Sequence, residues 1–481
     1  MPVNWLDWER QSFEKSLRWE KPILLSLSES WSFLSRKMDE KTYTQPKVAE
    51  LINGNFIPIR VEANQRPDLN LRYSQGGPPS TVFLDKGGRV ITGSTYVPAE
   101  EMADLLTQVI QIFGNDGSKI GNFEDRREKA EETSFEEKRL YLIKYRENFI
   151  RKYEELLLLN FDESFGGFGP SAGGFGSKFP MASALEFCLS KYEKTGQEVF
   201  ARILRKSLEG MADHGLFDHL DGGFFRLAND RKWASPNYEK LLLTNVQLLE
   251  IYHKAAVKLS EPRFEETAVK VIGFIKNWLY QPDEGGFCSA IEAEENYYTL
   301  ASRAERLKYR DENKRPRVDE TFYTDLNAQA VSCLKRAGQK EMPERSLARI
   351  LKESRGPDGL FYHFKKGDGG YFSQFLTDQV FLTEALLKSD SSLAKEVWPV
   401  VVENFYDRQK GGFWDHCLKE DQVLGFLKNG LKPLEENVTA IKLLRQFGLE
   451  EEAKKSLVEV FWQNRKANLF SGCLASLVLL G

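Results

Sequence analysis

Cysteine is scarce in this chain, and its spacing excludes two common uses of the residue. The 481 residues include five cysteines, with no Cys-X-X-Cys pair and no spacing typical of a metal site. They are Cys188, Cys288, Cys333, Cys417 and Cys473. Scattered thiols of this kind predict free, buried cysteines in a reducing compartment rather than a disulfide framework. The sequence therefore leads us to expect no cofactor and no metal ion.

The chain also lacks a strong net charge and a long apolar run. Its formal net charge is -4 at pH 7, which gives no reason to expect nucleic acid or an anionic membrane as a partner. No apolar stretch approaches the ~20 residues that a membrane-spanning helix requires. The first residues, Met1 to Trp5, are not a basic segment followed by an apolar one, so we expect no secretory signal and a cytoplasmic location.

Residues 1–115 show the element order of a thioredoxin-like α/β domain. Short apolar runs, among them residues 22–27 and 56–61, predict buried strands, and residues 98–113 have helical spacing. This alternation of strands and helices is typical of a thioredoxin-like fold. Pro79 precedes the third predicted strand, where such folds place a cis-proline.

Beyond a predicted linker at residues 116–136, the region 137–481 alternates long helical patterns with a recurring Gly-Gly-aromatic tripeptide. The copies lie roughly 50 to 75 residues apart, which is typical of a repeated supersecondary unit. The clear copies are Gly166-Gly167-Phe168, Gly222-Gly223-Phe224, Gly285-Gly286-Phe287 and Gly411-Gly412-Phe413. Six helical hairpins predict a closed (α/α)6 barrel, and an open solenoid is the alternative. In a barrel the loops should share one face, where function is usually found.

Motifs along most of the chain resemble the family that includes YyaL and spermatogenesis-associated protein 20. The markers are Val3-Asn4-Trp5-Leu6-Asp7-Trp8, Pro79-Ser80-Thr81-Val82-Phe83-Leu84, Lys178-Phe179-Pro180, Trp233 with Pro236, Glu239-Lys240 with Asn245, and Asp378 with Phe381. The resemblance implies an α+β multidomain protein, in which a thioredoxin-like domain precedes a six-hairpin glycosidase-like barrel. That barrel is similar to those of N-acylglucosamine 2-epimerases and cellobiose epimerases.

The chain departs from this family at the redox motif. Where the family usually has Cys-His-Trp-Cys-His, this chain has a segment that begins at Ser32 and includes Ser35. Thiol–disulfide exchange needs a thiolate nucleophile and a second thiol, and serine hydroxyls supply neither. We therefore expect a redox-inactive domain that has a structural role or docks a protein partner.

The barrel region also departs from the family at two histidines. The histidine that usually follows Gly-Gly-Phe is Phe225 here, and the one that usually precedes Phe-Glu-Lys is Asn237. Removing a proton beside a sugar carbonyl needs a base that titrates near neutrality, which histidine supplies. An epimerase mechanism with two histidines at these positions is therefore not expected.

Glu239, Asp378 and His219 are the candidate catalytic residues. The resemblance places Glu239 and Asp378 in cavity-lining motifs, and an inverting glycosidase needs one carboxylic acid and one carboxylate base. His219 lies in a recurring loop, as His363 and His416 lie in or beside others, so these histidines should converge if the loops share a face. The alternatives are a structural ion pair of Glu239 with Arg226 or Lys240, and histidines that satisfy loop carbonyls.

Seven further side chains are candidate ligand-binding residues. They are Lys178, Arg226, Trp233, Asn237, Tyr238, Glu292 and Trp414. Aromatic rings offer stacking faces to sugars and Lys178 offers a charge to an anionic group, but aromatics also fill barrel cores and lysines are usually solvated. The leading hypothesis is a protein that binds or modifies a carbohydrate-like small molecule. The alternative is a non-catalytic scaffold that docks a partner.

Overall fold

The computed structural model describes residues 2–116, 133–169, 176–312, 314–366, 370–372, 374–417, 424–428 and 430–480. Contacts divide the chain into two compact units. Unit 1 comprises residues 1–133 and 415–431, and unit 2 comprises residues 134–414 and 432–481. Residues 117–132 of the predicted linker lie outside the described residues.

Unit 1 contains a four-stranded sheet in the order β2-β1-β3-β4. The strands are β1 (Ile23–Ser28), β2 (Ile57–Glu62), β3 (Ser80–Leu84) and β4 (Val90–Ser94). β1 pairs in parallel with β2 and antiparallel with β3, and β3 pairs antiparallel with β4. The helices are Arg10–Trp19, Phe33–Lys37, Met38–Thr42, Pro46–Asn55, Pro67–Tyr73 and Ala99–Asp116, with a short turn at Ala63–Gln65. This is the thioredoxin-like unit, and its Pro78–Pro79 peptide bond is cis, immediately before β3.

Successive side chains of β1 alternate between two apolar cores, as a sheet buried on both faces requires. Ile23 and Leu25 pack in one core, and Leu24 packs in the other. The segment 415–431 completes the first core with the buried side chain of Leu427. Its sequence pattern places this segment with the helical region, whereas its contacts place it in unit 1.

Unit 2 is a closed ring of helical hairpins. Its described inner helices are Ala182–Thr195, Leu242–Lys258, Thr324–Arg336, Leu376–Leu387, Leu434–Gln446 and Gly472–Leu480. Each inner helix packs against the next, and the last packs against the first, which closes the ring. The outer helices are Phe135–Asn160, Glu198–Asp213, Pro262–Phe274 (continued by Ile275–Leu279), Glu341–Glu353, Ser391–Phe405 and Glu450–Gln463. The (α/α)6 prediction is confirmed, and the open-solenoid alternative is wrong.

Inner and outer helices differ as their environments require. The inner helix Leu376–Leu387 is buried on nearly every side, so its apolar residues do not follow a single stripe. The outer helix Glu341–Glu353 is strongly amphipathic and buries one face against the inner ring. Within the described parts of the chain, no helix is both long enough and apolar enough to cross a bilayer.

Each clear glycine loop closes on itself through backbone hydrogen bonds. In one loop, the amide of Asp218 donates to the Gly223 carbonyl at 3.0 Å, and the Gly222 amide donates to the Asp218 carbonyl at 2.9 Å. Gly223 has a φ of +77°, and a Cβ there would lie 2.4 Å from the ring of Phe274. The same two bonds recur in the loops that begin at Asp162, Gln281 and Asp407. The glycines therefore permit both the positive φ and the close approach to an outer helix.

The inner helix after a loop binds the backbone of that loop's aromatic residue. Asn245 accepts a hydrogen bond from the amide of Phe224 at 2.7 Å and donates to its carbonyl at 3.0 Å. The same paired contact joins Asn327 to Phe287, Gln379 to Phe361 and Asn437 to Phe413. These loops are therefore attached at the N-terminal ends of the inner helices, which places them at one end of the ring.

Short strands occur in the same connections. They are β5 (Leu227–Ala228), β6 (Pro236–Asn237), β7 (Lys240–Leu241), β8 (Ala290–Ile291), β9 (Val318–Asp319), β10 (Phe364–Lys366) and β11 (Gly370–Phe372). β7, β8 and β9 form one antiparallel sheet, and β5–β6 and β10–β11 are two-stranded. Two short helices, Glu295–Tyr298 and Arg303–Asp311, lie between β8 and β9.

Candidate functional site

Asp325, His363 and Asp378 converge at the loop end of the inner ring. Their nearest ligand-type atoms all lie within 4.8 Å of one another. His363 Nδ1 is 2.8 Å from Asp378 Oδ1 and 3.8 Å from Asp325 Oδ1. Two connections supply them: Asp325 begins the inner helix Thr324–Arg336, whereas His363 lies in the connection that leads into the inner helix Leu376–Leu387, which Asp378 begins. The cluster therefore combines one imidazole with two carboxylates.

Asp378 is fully buried, and several contacts hold its carboxylate. Oδ1 accepts from His363 Nδ1 and from the backbone amide of Asp325 at 3.2 Å, and Oδ2 accepts from the amide of Phe375 at 3.4 Å. Burial raises the pKa of Asp378 to about 6, although the neighbouring His363 opposes the shift. Asp378 thus anchors two helix starts and orients the histidine, which makes it a positioning residue within this cluster.

Aromatic rings surround the imidazole of His363. Its ring centroid lies 5.2 Å from Tyr323, 5.3 Å from Phe375 and 6.0 Å from Phe364. The backbone carbonyl of His363 accepts from the amide of Thr324 at 2.9 Å. Only 2% of the side chain is exposed, so packing and the Asp378 contact together fix the ring orientation.

Asp325 is the member of the cluster that sequence reasoning missed. Its Oδ2 accepts a hydrogen bond from Thr377 Oγ1 at 3.2 Å. Its Oδ1 is buried and has no hydrogen-bond partner among the described residues. The side chain of Asp325 is 14% exposed and that of Asp378 is 0% exposed, so Asp325 is the more accessible carboxylate. The one sequence signal was an aspartate at the start of an inner helix, two residues before the amide residue Asn327.

Glu239 forms the structural pair that was the alternative to a catalytic role. Its Oε2 lies 3.7 Å from Arg226 Nε, and its backbone carbonyl accepts from the Arg226 amide at 2.9 Å. Glu292 is arranged similarly, with Oε1 3.6 Å from Nε of the exposed Arg317. Glu239 and Glu292 are both buried, so each of these carboxylates lies next to a guanidinium rather than alone.

Lys178 and Trp233 serve the glycine loop at Asp162, so their expected ligand-binding role is not what their contacts indicate. Lys178 is buried, with Nζ 3.2 Å from Asp162 Oδ2 and 4.6 Å from the centroid of the Trp233 ring. Trp233 is fully buried and donates its indole N–H to the Phe165 carbonyl at 3.0 Å. The alternatives to ligand binding were a solvated Lys178 and a Trp233 that fills the core. Lys178 is buried rather than solvated, whereas Trp233 is a core residue.

The Lys178 arrangement recurs in two other loops. The pairs are Asp162–Lys178 at 3.2 Å, Asp218–Lys240 at 2.7 Å and Asp407–Lys432 at 2.8 Å. In the second loop Arg306 also contacts Asp218, at 2.7 Å. A buried cation inside a loop neutralises the aspartate that organises the loop's backbone amides.

The remaining candidates lie in different surroundings. Tyr238 is half-buried and stacks on Tyr298 with the ring centroids 5.6 Å apart and the planes at 10°. Asn237 accepts from Asn229 Nδ2 at 2.7 Å within the β5–β6 pair. Trp414 lies under Lys432, with Nζ 4.4 Å from its ring. Both aromatic side chains, Tyr238 and Trp414, are half-buried.

The three loop histidines have separate contacts. His219 is exposed and its ring packs edge-on against Phe217 at 5.5 Å. His363 belongs to the Asp325–Asp378 cluster of unit 2, whereas His416 belongs to unit 1, where its Nε2 lies 3.5 Å from Arg72 Nη2. Of the three, only His363 contacts a predicted catalytic carboxylate, Asp378.

The degenerate redox motif has a structural use in unit 1. Ser32 caps the helix Phe33–Lys37, and its Oγ accepts from the amide of Ser35 at 3.3 Å. Ser35 Oγ in turn accepts from the amide of Glu29 at 3.2 Å. Both serines are buried, so their hydroxyls satisfy backbone amides as a helix start requires.

The fold defines a protein that combines a thioredoxin-like unit with an (α/α)6 unit. Residues 1–132 match the family Thioredox_DsbH, described as a protein of unknown function, DUF255. Mouse spermatogenesis-associated protein 20 is 27% identical over 316 residues, which cover 61% of this chain and 39% of that protein. An uncharacterized Caenorhabditis elegans protein is 28% identical over 311 residues, or 61% of this chain and 42% of that one. These matches confirm the resemblance to the spermatogenesis-associated protein 20 family.

The chain spans about two fifths of the length of these curated relatives. Among solved structures, the cellobiose 2-epimerase from Spirochaeta thermophila is similar to 68% of this chain over 86% of its own length, with 14% identity and a TM-score of 0.49. A D-mannose isomerase is similar to 66% of this chain over 86% of its own length, with 13% identity and a TM-score of 0.49.

Proposed function

We propose that the barrel unit binds a carbohydrate-like small molecule at the loop end of its inner ring and transfers a proton to or from it. The convergence of Asp325, His363 and Asp378 from two neighbouring connections carries this proposal. A scaffold does not need an imidazole and two carboxylates within 4.8 Å of one another, whereas acid–base chemistry does.

His363 is the proposed proton-transfer group. When its Nδ1–H donates to Asp378 Oδ1, the other ring nitrogen is left as the basic atom. Asp378 then acts as the positioning carboxylate, and Asp325 is placed to accept a hydrogen bond from a bound hydroxyl. Sugar isomerisation or epimerisation would use this base next to a carbonyl, and glycoside hydrolysis would use it with a carboxylate.

Tyr238 is the proposed stacking surface for an apolar sugar face. Tyr298 stacks behind it, and Phe225 packs edge-on against it with the centroids 5.3 Å apart. A ring held by two aromatic neighbours loses little conformational freedom when a ligand stacks on it. Tyr238 and His363 both precede inner helices, which places them at the same end of the ring.

The second candidate function is a non-catalytic scaffold. It is favoured by Lys178 and Trp233, whose polar groups are used inside a loop, and by Ser32 and Ser35, whose hydroxyls cap a helix. In this reading the thioredoxin-like unit, without a dithiol, docks a protein partner. A redox-inactive unit and a cytoplasmic location are part of both proposals.

Deuterium exchange tests the first proposal. The chain is incubated in D2O with a panel of reducing mono- and disaccharides, and proton NMR follows loss of the C2–H signal. We expect exchange with at least one sugar, loss of exchange in His363→Gln, and retention in His253→Gln, whose ring contacts Glu265 on the neighbouring helix. A parallel panel of chromogenic glycosides tests hydrolysis. No exchange and no hydrolysis by the folded chain would favour the scaffold.

A further inference from the structure

We propose that Asp325, His363 and Asp378 also bind one divalent transition-metal ion, with zinc as the probe. Each of the three residues offers one donor atom, and these atoms lie within 4.8 Å of one another. The atoms nearest to His363 Nδ1 are the Oδ1 atoms of Asp378 and Asp325. Nδ1 lies 2.8 Å from one carboxylate oxygen and 3.8 Å from the other. Ligand bonds of about 2.0–2.2 Å place the donors of one zinc ion roughly 3–4 Å apart, so the 3.8 Å separation fits one shared ion and the hydrogen-bonded pair at 2.8 Å need only open slightly.

Hydrogen bonds from outside the cluster hold both carboxylates with one oxygen toward His363. Asp378 Oδ2 accepts from the Phe375 amide, and Asp325 Oδ2 accepts from Thr377 Oγ1. Each carboxylate therefore presents its Oδ1 to Nδ1. Outer hydrogen bonds of this kind orient the ligands of metal sites and are part of their affinity.

An independent observation concerns Asp325 Oδ1. This oxygen is buried and lacks a hydrogen-bond partner among the described residues. A buried carboxylate oxygen without a donor is costly, and a bound cation would satisfy it. One imidazole and two carboxylates suit zinc, manganese or iron, and three protein ligands leave a coordination position for water or a ligand.

Metal binding and proton transfer would be two states of the same cluster. Nδ1 uses its proton to contact Asp378 in the metal-free protein, and a metal ion on Nδ1 would replace that proton. A bound ion would therefore switch off the proposed proton-transfer pair, which makes the metal a regulator of that site. This consequence rests on the proposed function, but metal binding itself is measured without any sugar.

Competition against a chromophoric zinc chelator tests the proposal on the full chain, prepared without a histidine affinity tag. We expect one zinc ion per chain, with affinity reduced at least about tenfold in Asp325→Asn, because even the loss of an outer hydrogen bond costs 10–100-fold. Asparagine keeps an oxygen that can accept from Thr377, so this variant should fold. His253→Gln is the matched control, because it removes one imidazole outside the cluster.

Two substitutions of Thr377 test the site without replacing any of the proposed metal ligands. Thr377→Val should weaken zinc binding about tenfold or more by freeing Asp325 Oδ2, whereas Thr377→Ser should restore it. Circular dichroism confirms that each variant is folded. The proposal is overturned if the wild-type chain binds no zinc, if Asp325→Asn binds as tightly as wild type, or if His253→Gln loses as much affinity as Asp325→Asn.

Discussion

Replacing Lys432 by methionine tests whether buried Asp–Lys pairs hold the glycine loops in the barrel. Lys432 Nζ donates to Asp407 Oδ2 at 2.8 Å and to the Gly411 carbonyl at 2.6 Å. Methionine keeps most of the aliphatic stem, but the buried Asp407 then loses its cation and keeps the backbone amides of Gln409 and Lys410. Because removing one partner of a buried ion pair costs about 3–5 kcal/mol, we expect a loss of that size in the free energy of unfolding.

Two further lysine-to-methionine variants allow the expected losses in the free energy of unfolding to be ranked. In Lys178→Met, the hydrogen bonds of Nζ to Asp162 and to the Arg231 carbonyl are lost, but Asp162 keeps the Arg231 guanidinium at 2.7 and 2.8 Å, so we expect a cost of about 2 kcal/mol. Lys206→Met is the exposed control, because its Nζ contacts the carbonyl of Glu163 at 2.5 Å and the carboxylate of Glu163 at 3.5 Å while both side chains face solvent, so we expect about 1 kcal/mol or less. The expected destabilisation is therefore largest for Lys432→Met and smallest for Lys206→Met.

Urea denaturation followed by far-UV circular dichroism measures the three values. The helical signal reports mainly on unit 2, since most helices lie there. Tryptophan fluorescence as a second probe shows whether the transition can be treated as two-state in this two-unit chain. The reasoning is refuted if Lys432→Met is no less stable than Lys206→Met at equal m-values, because the buried pair would then contribute nothing measurable.

Three other predictions concern the loops and the thioredoxin-like unit. Burial alone would raise the pKa of Asp218, but Lys240 and Arg306 outweigh it and lower the pKa to about 2. Its stabilisation is thus present above pH ~4 and lost as the pH falls through 2, so the acid unfolding of Asp218→Asn should depend less on pH in this range than that of wild type. Asn245→Ala should lower the free energy of unfolding by about 3 kcal/mol, because it leaves the amide and carbonyl of Phe224 unpaired. Insulin reduction should be absent from the wild-type chain, because serine hydroxyls cannot exchange disulfides, and measurable reduction would contradict the expected redox inactivity of this unit. The double variant Ser32→Cys and Ser35→Cys, which has a Cys-X-X-Cys pair, is the comparison for this assay.

The fold was predictable because the loops carry a local signature. Paired glycines with positive φ and one aromatic residue mark four of the hairpin junctions in the sequence, and their period matches one outer and one inner helix. The assignment of residues 415–431 to unit 1 was not predictable in this way. Leu427 has no local pattern that separates it from a barrel residue, and its place depends on long-range packing in the core that also contains Trp8 and Phe13.

The candidate site was predictable only in part, for a similar reason. Asp378 was recognised from its motif, but its contact with His363 spans 15 residues of the connection that leads into the helix of Asp378. Asp325 lies 53 residues before Asp378 in the sequence, and neither the charge nor the spacing of the two residues indicates that they are close in the fold. Lys178 looked solvated because sequence shows a charge but not its buried partner, Asp162.

Comparing the loops with one another distinguishes residues that hold a loop in place from residues that can have a chemical role. A residue type that recurs at the same place in several loops performs the same structural task in each, as Lys178, Lys240 and Lys432 do with their aspartates. Two residues after the loop aromatic, by contrast, the chain has Arg226, Ser289, His363 and Asp415. The backbone amide of this position donates a hydrogen bond in the loops with Arg226, Ser289 and Asp415, whereas the side chain differs from loop to loop and can therefore serve function. His363 is therefore the residue to test for ligand and metal binding, whereas Lys178 is one to test for stability.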